Sequence, residues 1–181
     1  MVKHLVWIAI LIAPDARADE PPQLDSQGWS IEVRLGGHVA LDTLPNYEGA
    51  FETTRPGPSL DVEIAHSVVP RVELGAFGRV DVHRGDLESW LAVASVGMRA
   101  RMLVGDRVFV AVGASLVRAR EDTYDPATWG VGIEGDLGLV LATIRHVTFE
   151  AIVATGRFTN GGPEFETDIP WISMSLGARF Q

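Results

Sequence analysis

Apolar and polar residues alternate along nearly the whole chain. From Pro58 to His83, Leu60, Val62, Ile64, His66 and Val68 alternate with Ser59, Asp61, Glu63, Ala65 and Ser67. Past a tight turn at Val69-Pro70, Val72, Leu74, Ala76 and Val80 alternate with Arg71, Glu73, Gly75, Phe77, Arg79 and Asp81. A period of two puts each set on one face of a strand, so the stretch predicts an antiparallel hairpin with two unlike faces. The pattern predicts a first strand over about 29–41, with Trp29, Ile31, Val33, Leu35, Val39 and Leu41 opposite Ser30, Glu32, Arg34 and His38. Further strands are predicted over about 89–103, 107–118, 129–142, 147–156 and 172–180.

That makes eight strands with no helical period between them, so the connections are hairpins. Short connections (69–71, 104–106, 143–146) alternate with longer ones (42–57, 84–88, 119–128, 159–169). All short turns then lie at one end and all long loops at the other. An even count with this asymmetry predicts an all-β fold, an eight-stranded antiparallel up-and-down transmembrane β-barrel. Its strands reach the ~9–11 residues needed to cross a bilayer when tilted.

The N-terminus stands apart from this pattern. Met1-Val-Lys-His4 is a basic lead, Leu5 to Ala13 is an apolar run, and Ala16-Arg17-Ala18 is a small-x-small cleavage site. Residues 1–18 therefore read as a secretory signal peptide cleaved after Ala18, too short to span a bilayer as a helix. Residues 19–27 read as a flexible polar lead, and 28–181 as the barrel domain.

Charge narrows the partners. The chain carries −9, and loss of Lys3 and Arg17 against Asp15 makes the exported part −10. So acidic a chain is a poor binder of nucleic acid, which demands clustered Lys and Arg. With no cysteine, neither a disulfide framework nor a thiolate metal site is available.

Residue type suggests which face meets lipid. The polar face holds eight acids (Glu32, Asp61, Glu63, Glu73, Asp81, Glu134, Asp136, Glu150) and seven arginines (Arg34, Arg71, Arg79, Arg99, Arg101, Arg107, Arg179), spaced by Gly, Ala and Ser. Near balance of this kind predicts a narrow lumen plugged by Arg–carboxylate pairs, since eight strands leave room for side chains but for no wide channel. Lys3 is the only lysine, whereas a solvated outer face would favour Lys, Thr and Gln. Trp29, Phe149 and Phe180 would mark one rim, and Trp90 and Trp129 the other, as two aromatic girdles. Trp171 has lumen parity. A soluble lipocalin-like barrel, its apolar face turned inward around a ligand, is the rival fold.

With this strand count and loop asymmetry, and with the ending Ser175-Leu-Gly-Ala-Arg-Phe180, residues 28–181 resemble the small outer-membrane proteins of the OmpA/OmpX type. The resemblance implies a Gram-negative outer-membrane location. It also implies contact with outer-membrane lipid and lipopolysaccharide, and recognition of the last strand by the barrel-assembly machinery.

Candidate chemistry is sparse. Similar barrels include lipid A deacylases with a His-x-Ser pair; the nearest match is His146-Val-Thr148, at a short turn. His66 and Ser67 are adjacent and face opposite ways. His83 and Asp81 share lumen parity and form the best acid–base pair. No histidines stand at metal-ligand spacing, so no metal or cofactor is expected; His38 and His83 could both approach the long-loop rim. Arg118 and Arg157 fall on the outward face near that rim, as candidates to reach lipid phosphates. Acidic loop residues could hold Ca²⁺ or Mg²⁺ against lipopolysaccharide, although a solvated anionic surface explains them as well. Arg84-Gly85-Asp86 matches an integrin-binding tripeptide but is also ordinary turn chemistry. The expected role is structural or surface-interacting, through acidic loops and without catalysis. A narrow pore and a lipid A-modifying enzyme are the alternatives.

Overall fold

The computed structural model describes residues 28–43, 52–84, 90–121, 128–161 and 166–181. Eight antiparallel strands follow in order: β1 (Trp29–Thr43), β2 (Glu52–Val69), β3 (Val72–Arg84), β4 (Trp90–Val104), β5 (Val108–Glu121), β6 (Thr128–Ile144), β7 (Val147–Gly161) and β8 (Glu166–Phe180). Each strand pairs with its sequence neighbours, and β1 also pairs with β8, which closes the barrel. Closure satisfies every strand edge, the condition for a sheet to stand in hydrocarbon.

The strands reach further toward the long-loop end than their alternation alone indicates. Residues 52–57 and 166–169, expected in loops, belong to β2 and β8, and β5 continues to Glu121. Pairing to an already formed neighbour carries these polar segments, as where Thr43 faces Glu52 and Gly161 faces Glu166.

The three short turns have one residue each in the left-handed region: Arg71 at φ 70°, Gly105 at φ 86° and Arg145 at φ 56°. Such backbone suits the twist of tight hairpins. It also overturns two assignments. Arg71 and Arg107, expected on the lumen face, are exposed turn residues. Alternation holds only while the chain stays extended, and these two residues lie where it reverses.

The barrel is apolar outside and charged inside. Outward residues on every strand are exposed: Leu35, Val112, Ile133 and Met174 are 64–68% accessible. A soluble monomer rarely leaves more than a few hundred Å² of contiguous apolar surface uncovered, and here the surface encircles the molecule. Among the described residues no helix is long and apolar enough to cross a membrane.

Inside, charged side chains dominate the middle, and apolar clusters lie toward both ends. Leu103, Phe109 and Ile152 cluster toward the short turns. Leu91, Val93, Val117, Phe158 and Ile169 cluster toward the long loops, with Ala40. Glycines opposite the bulkiest lumen residues make the space. A Cβ at Gly138 would fall within the Phe109 ring, and one at Gly156 within the Trp171 ring. Both are cross-strand partners, Phe109 with Gly138 and Trp171 with Gly156.

Candidate functional site

Thirteen of the charged residues assigned to the polar face lie in the lumen, all buried: Glu32, Arg34, Asp61, Glu63, Glu73, Arg79, Asp81, Arg99, Arg101, Glu134, Asp136, Glu150 and Arg179. They form stacked tiers because alternate residues of neighbouring strands project inward at matching heights.

The tier nearest the short turns joins Arg101 and Arg179 to Glu32, Glu73 and Glu150. Arg101 donates to Glu150 at 2.5 Å and to Glu32 at 3.2 Å. Arg179 donates to Glu32, to Glu73 and, at 3.1 Å, to the Ser30 hydroxyl. Arg101 also lies over the Phe109 ring, 3.5 Å from its centroid. The middle tier joins Arg34 and Arg99 to Asp61, Glu63, Glu134 and Asp136. Arg99 donates to Glu63 at 2.5 Å, Asp61 at 2.8 Å and Glu134 at 2.5 Å. Arg34 donates to Asp136 at 2.7 Å and to Glu32 at 2.6 Å, which links the two tiers.

The third tier differs in kind. Arg79 donates to Glu134 at 2.8 Å and stacks on Trp171 at 4.2 Å, with its Nε 3.2 Å from Asp81. Asp81 also faces His38, with Nδ1 and Oδ1 3.1 Å apart. The His38 and His83 rings meet edge-to-face with centroids 4.7 Å apart. Each of these three residues is at most 4% exposed. The space beside them, about 390 Å³ including open solvent, is bounded also by Trp171, Phe158 and Ile169. His38, Asp81 and His83 are a set whose metal-ligating atoms all lie within 4.8 Å of one another. Parity had put Asp81 and His83 on one face and His38 near the same rim; the register of three strands brings all three together.

The inventory also changes the charge balance. With Arg71 and Arg107 outside, eight buried carboxylates face five buried guanidiniums among the described side chains. The lumen, expected to be nearly balanced, holds three more carboxyl groups than guanidiniums among the described side chains.

Other candidates are dispersed. Arg118 is exposed on the outer face, its guanidinium 5.5 Å from the centroid of Trp129, its cross-strand partner. Arg157 is exposed on β7 opposite Ile133. His66 points outward and packs on Trp29 at 4.9 Å. His146 is an exposed turn residue and Thr148 is buried, so they present no common site. Arg84 ends β3, and Gly85 and Asp86 lie outside the described residues. So do the acidic residues Glu48, Glu88, Asp122, Asp125 and Glu164.

No protein-family model matches the chain, and no curated protein does. Solved structures do. The chain is similar to Neisserial surface protein A at 15% identity, with 86% of this chain covering 99% of that one and a TM-score of 0.65. It also matches the outer membrane protein OprG of Pseudomonas aeruginosa at 16% identity, over 86% and 98% of the two chains, with a TM-score of 0.44. Ail of Yersinia pestis matches at 8% identity, over 84% and 100%, with a TM-score of 0.47. The fold is that of the eight-stranded outer-membrane β-barrels.

Proposed function

We propose that the protein resides in a Gram-negative outer membrane as a closed, non-conducting barrel and acts through its long-loop end as a structural or surface-interaction protein. The observation that carries this reading is the inversion of polarity, with charged residues paired inside an apolar shell. In water the shell would be an aggregation surface; in lipid it is the matching solvent. The tiers of paired Arg and carboxylate support a plug, because each guanidinium bridges facing walls of a narrow lumen.

In this orientation the short turns face the periplasm and the long connections face outward, as barrels of this type have them. Arg118 and Arg157 then lie at the outer rim, where guanidiniums suit lipid phosphates. The last strand would present Phe180 to the barrel-assembly machinery. Among the described residues, the lumen's candidate bases Asp81, His38 and His83 contact one another and Arg79.

The test is planar-bilayer recording on protein extracted from outer membranes, beside gel mobility before and after boiling. A heat-dependent mobility shift and a silent bilayer are expected. Steady conductance from the unmodified protein overturns the plug, and recovery of a soluble periplasmic protein with no shift overturns the membrane assignment.

A further inference from the structure

We propose that His38, Asp81 and His83 bind one divalent transition-metal ion, with zinc as the reference ion, at the long-loop end of the lumen. Two imidazoles and a carboxylate are a donor set suited to zinc, which takes nitrogen and oxygen ligands in a tetrahedron and here would keep a position open to the lumen. Two bonds of about 2.0–2.1 Å at a tetrahedral angle set their donors roughly 3.3 Å apart. His38 Nδ1 and Asp81 Oδ1 stand at 3.1 Å. All the donor atoms lie within 4.8 Å of one another, a span that side-chain rotation closes to ligand spacing.

Backbone design brings the donors together. His38 on β1 pairs with Gly57 on β2. Gly57 lies against β3 so closely that a Cβ there would strike the Val82 carbonyl and approach the His83 Cα at 2.9 Å. Gly57 presents no side chain between the two imidazoles, which leaves them room to meet across β2. Any other residue at position 57 would strike the β3 backbone at Val82 and His83 and force β2 and β3 apart, displacing His83 from His38.

The polar atoms are also poised for a ligand. His38 Nδ1 and both Asp81 oxygens are buried and make no hydrogen bond of acceptable geometry, despite the close approaches of Asp81 to His38 and Arg79. Buried polar atoms in this state are costly unless something else satisfies them. Arg79 sits beside Asp81 Oδ2 and leaves Oδ1 toward the histidines, so it would orient the carboxylate from behind. Its own charge is met by Glu134, and the excess of three carboxylates in the lumen favours an added cation. The Trp171 ring packs on His38 at 4.7 Å and holds that imidazole in place.

The experiment is equilibrium dialysis of untagged protein, extracted from outer membranes in mild detergent, against zinc chloride, with metal and protein quantified. One zinc per chain is expected. His38→Gln and His83→Gln should each weaken it by at least roughly tenfold, while His66→Gln, on the outer face, should leave it unchanged. The boiled and unboiled gel bands report whether each variant is folded. A readout independent of variants is the visible spectrum of the unmodified protein with cobalt(II), where intense tetrahedral bands displaced by zinc are expected. No stoichiometric zinc on the unmodified protein, binding unchanged in folded His38→Gln, or only weak octahedral cobalt bands would each overturn the site.

Discussion

The inside and the outside of this barrel obey opposite rules although every strand contributes to both. On β6, Glu134 and Asp136 are buried while Ile133 and Leu137 are exposed; on β4, Arg99 is buried while Met98 and Met102 are exposed. Adjacent residues of one strand thus meet a low-dielectric charge network on one side and an apolar boundary on the other. Alternation by itself says only that two environments exist. Their identity comes from chemistry: long arginines and carboxylates can pair across a narrow lumen, whereas an apolar surface closed around the whole molecule needs lipid. The two faces should therefore fail in different ways when altered.

Breaking the inside has the larger effect. Arg99 holds Asp61, Glu63 and Glu134 within 2.8 Å and lies over Phe77 at 4.2 Å. Arg99→Leu keeps much of the volume but leaves these carboxylates without their shared cation. The expected loss is about 3–5 kcal/mol, the scale for removing one partner of a buried ion pair, read by urea unfolding from lipid vesicles. A loss under 1 kcal/mol would mean that water or the neighbouring arginines already neutralise the tier. The outer face is tested by Leu137→Arg, next to buried Asp136 but pointing the other way. If Leu137 lies near the bilayer midplane, the cost is about 2–4 kcal/mol in the same assay. A tolerated arginine there would turn the apolar face away from lipid and reopen the soluble alternative.

A packing test separates the glycine spacing from electrostatics. Gly138→Val would place side-chain atoms where the Phe109 ring lies, and Phe109 is fully buried. Overpacking at a well-filled site costs about 1–3 kcal/mol. Combining it with Phe109→Ala should recover part of that loss, because the ring is what the new side chain meets. If the double variant is no better than Gly138→Val alone, the glycine serves the backbone and not the ring.

Strand number, their order and the sorting of residues between faces were legible because β-pleating repeats every two residues for as long as the chain stays extended. Glu32, Arg34, Glu63 and Arg99 declared themselves that way. Arg71 and Arg107 misled for the same reason, since the alternation was carried into hairpin reversals whose side chains face solvent. Of the His38–Asp81–His83 grouping, the sequence showed the shared face of Asp81 and His83 and the approach of His38 and His83 to one rim, but not that all three converge. That convergence depends on the register of β1, β2 and β3, and the β2–β3 ladder shifts by one between Ser67 and Val69. Counting outward from the turn would set Gly57 against Arg84; the shift sets it beside His83. The apolar lumen residues Leu91, Val93 and Phe158 were hidden too, because alternation in polarity fades where both faces are apolar.

The smallest effect tests the boundary between the two regimes. Arg118 is on the outer face, yet it is charged, and its guanidinium is 5.5 Å from the centroid of the exposed Trp129 ring. A cation over an aromatic face at an exposed site contributes ~0.5–1 kcal/mol, so Arg118→Ala should change vesicle stability by no more than that. If Arg118 and Arg157 also hold lipid phosphates at the outer rim, the double variant Arg118→Ala/Arg157→Ala should co-purify with less lipopolysaccharide at unchanged fold. Equal retention of lipopolysaccharide would confine Arg118 to its contact with Trp129. A loss well above 1 kcal/mol would place it below the rim, where an outward charge is as costly as one at Leu137.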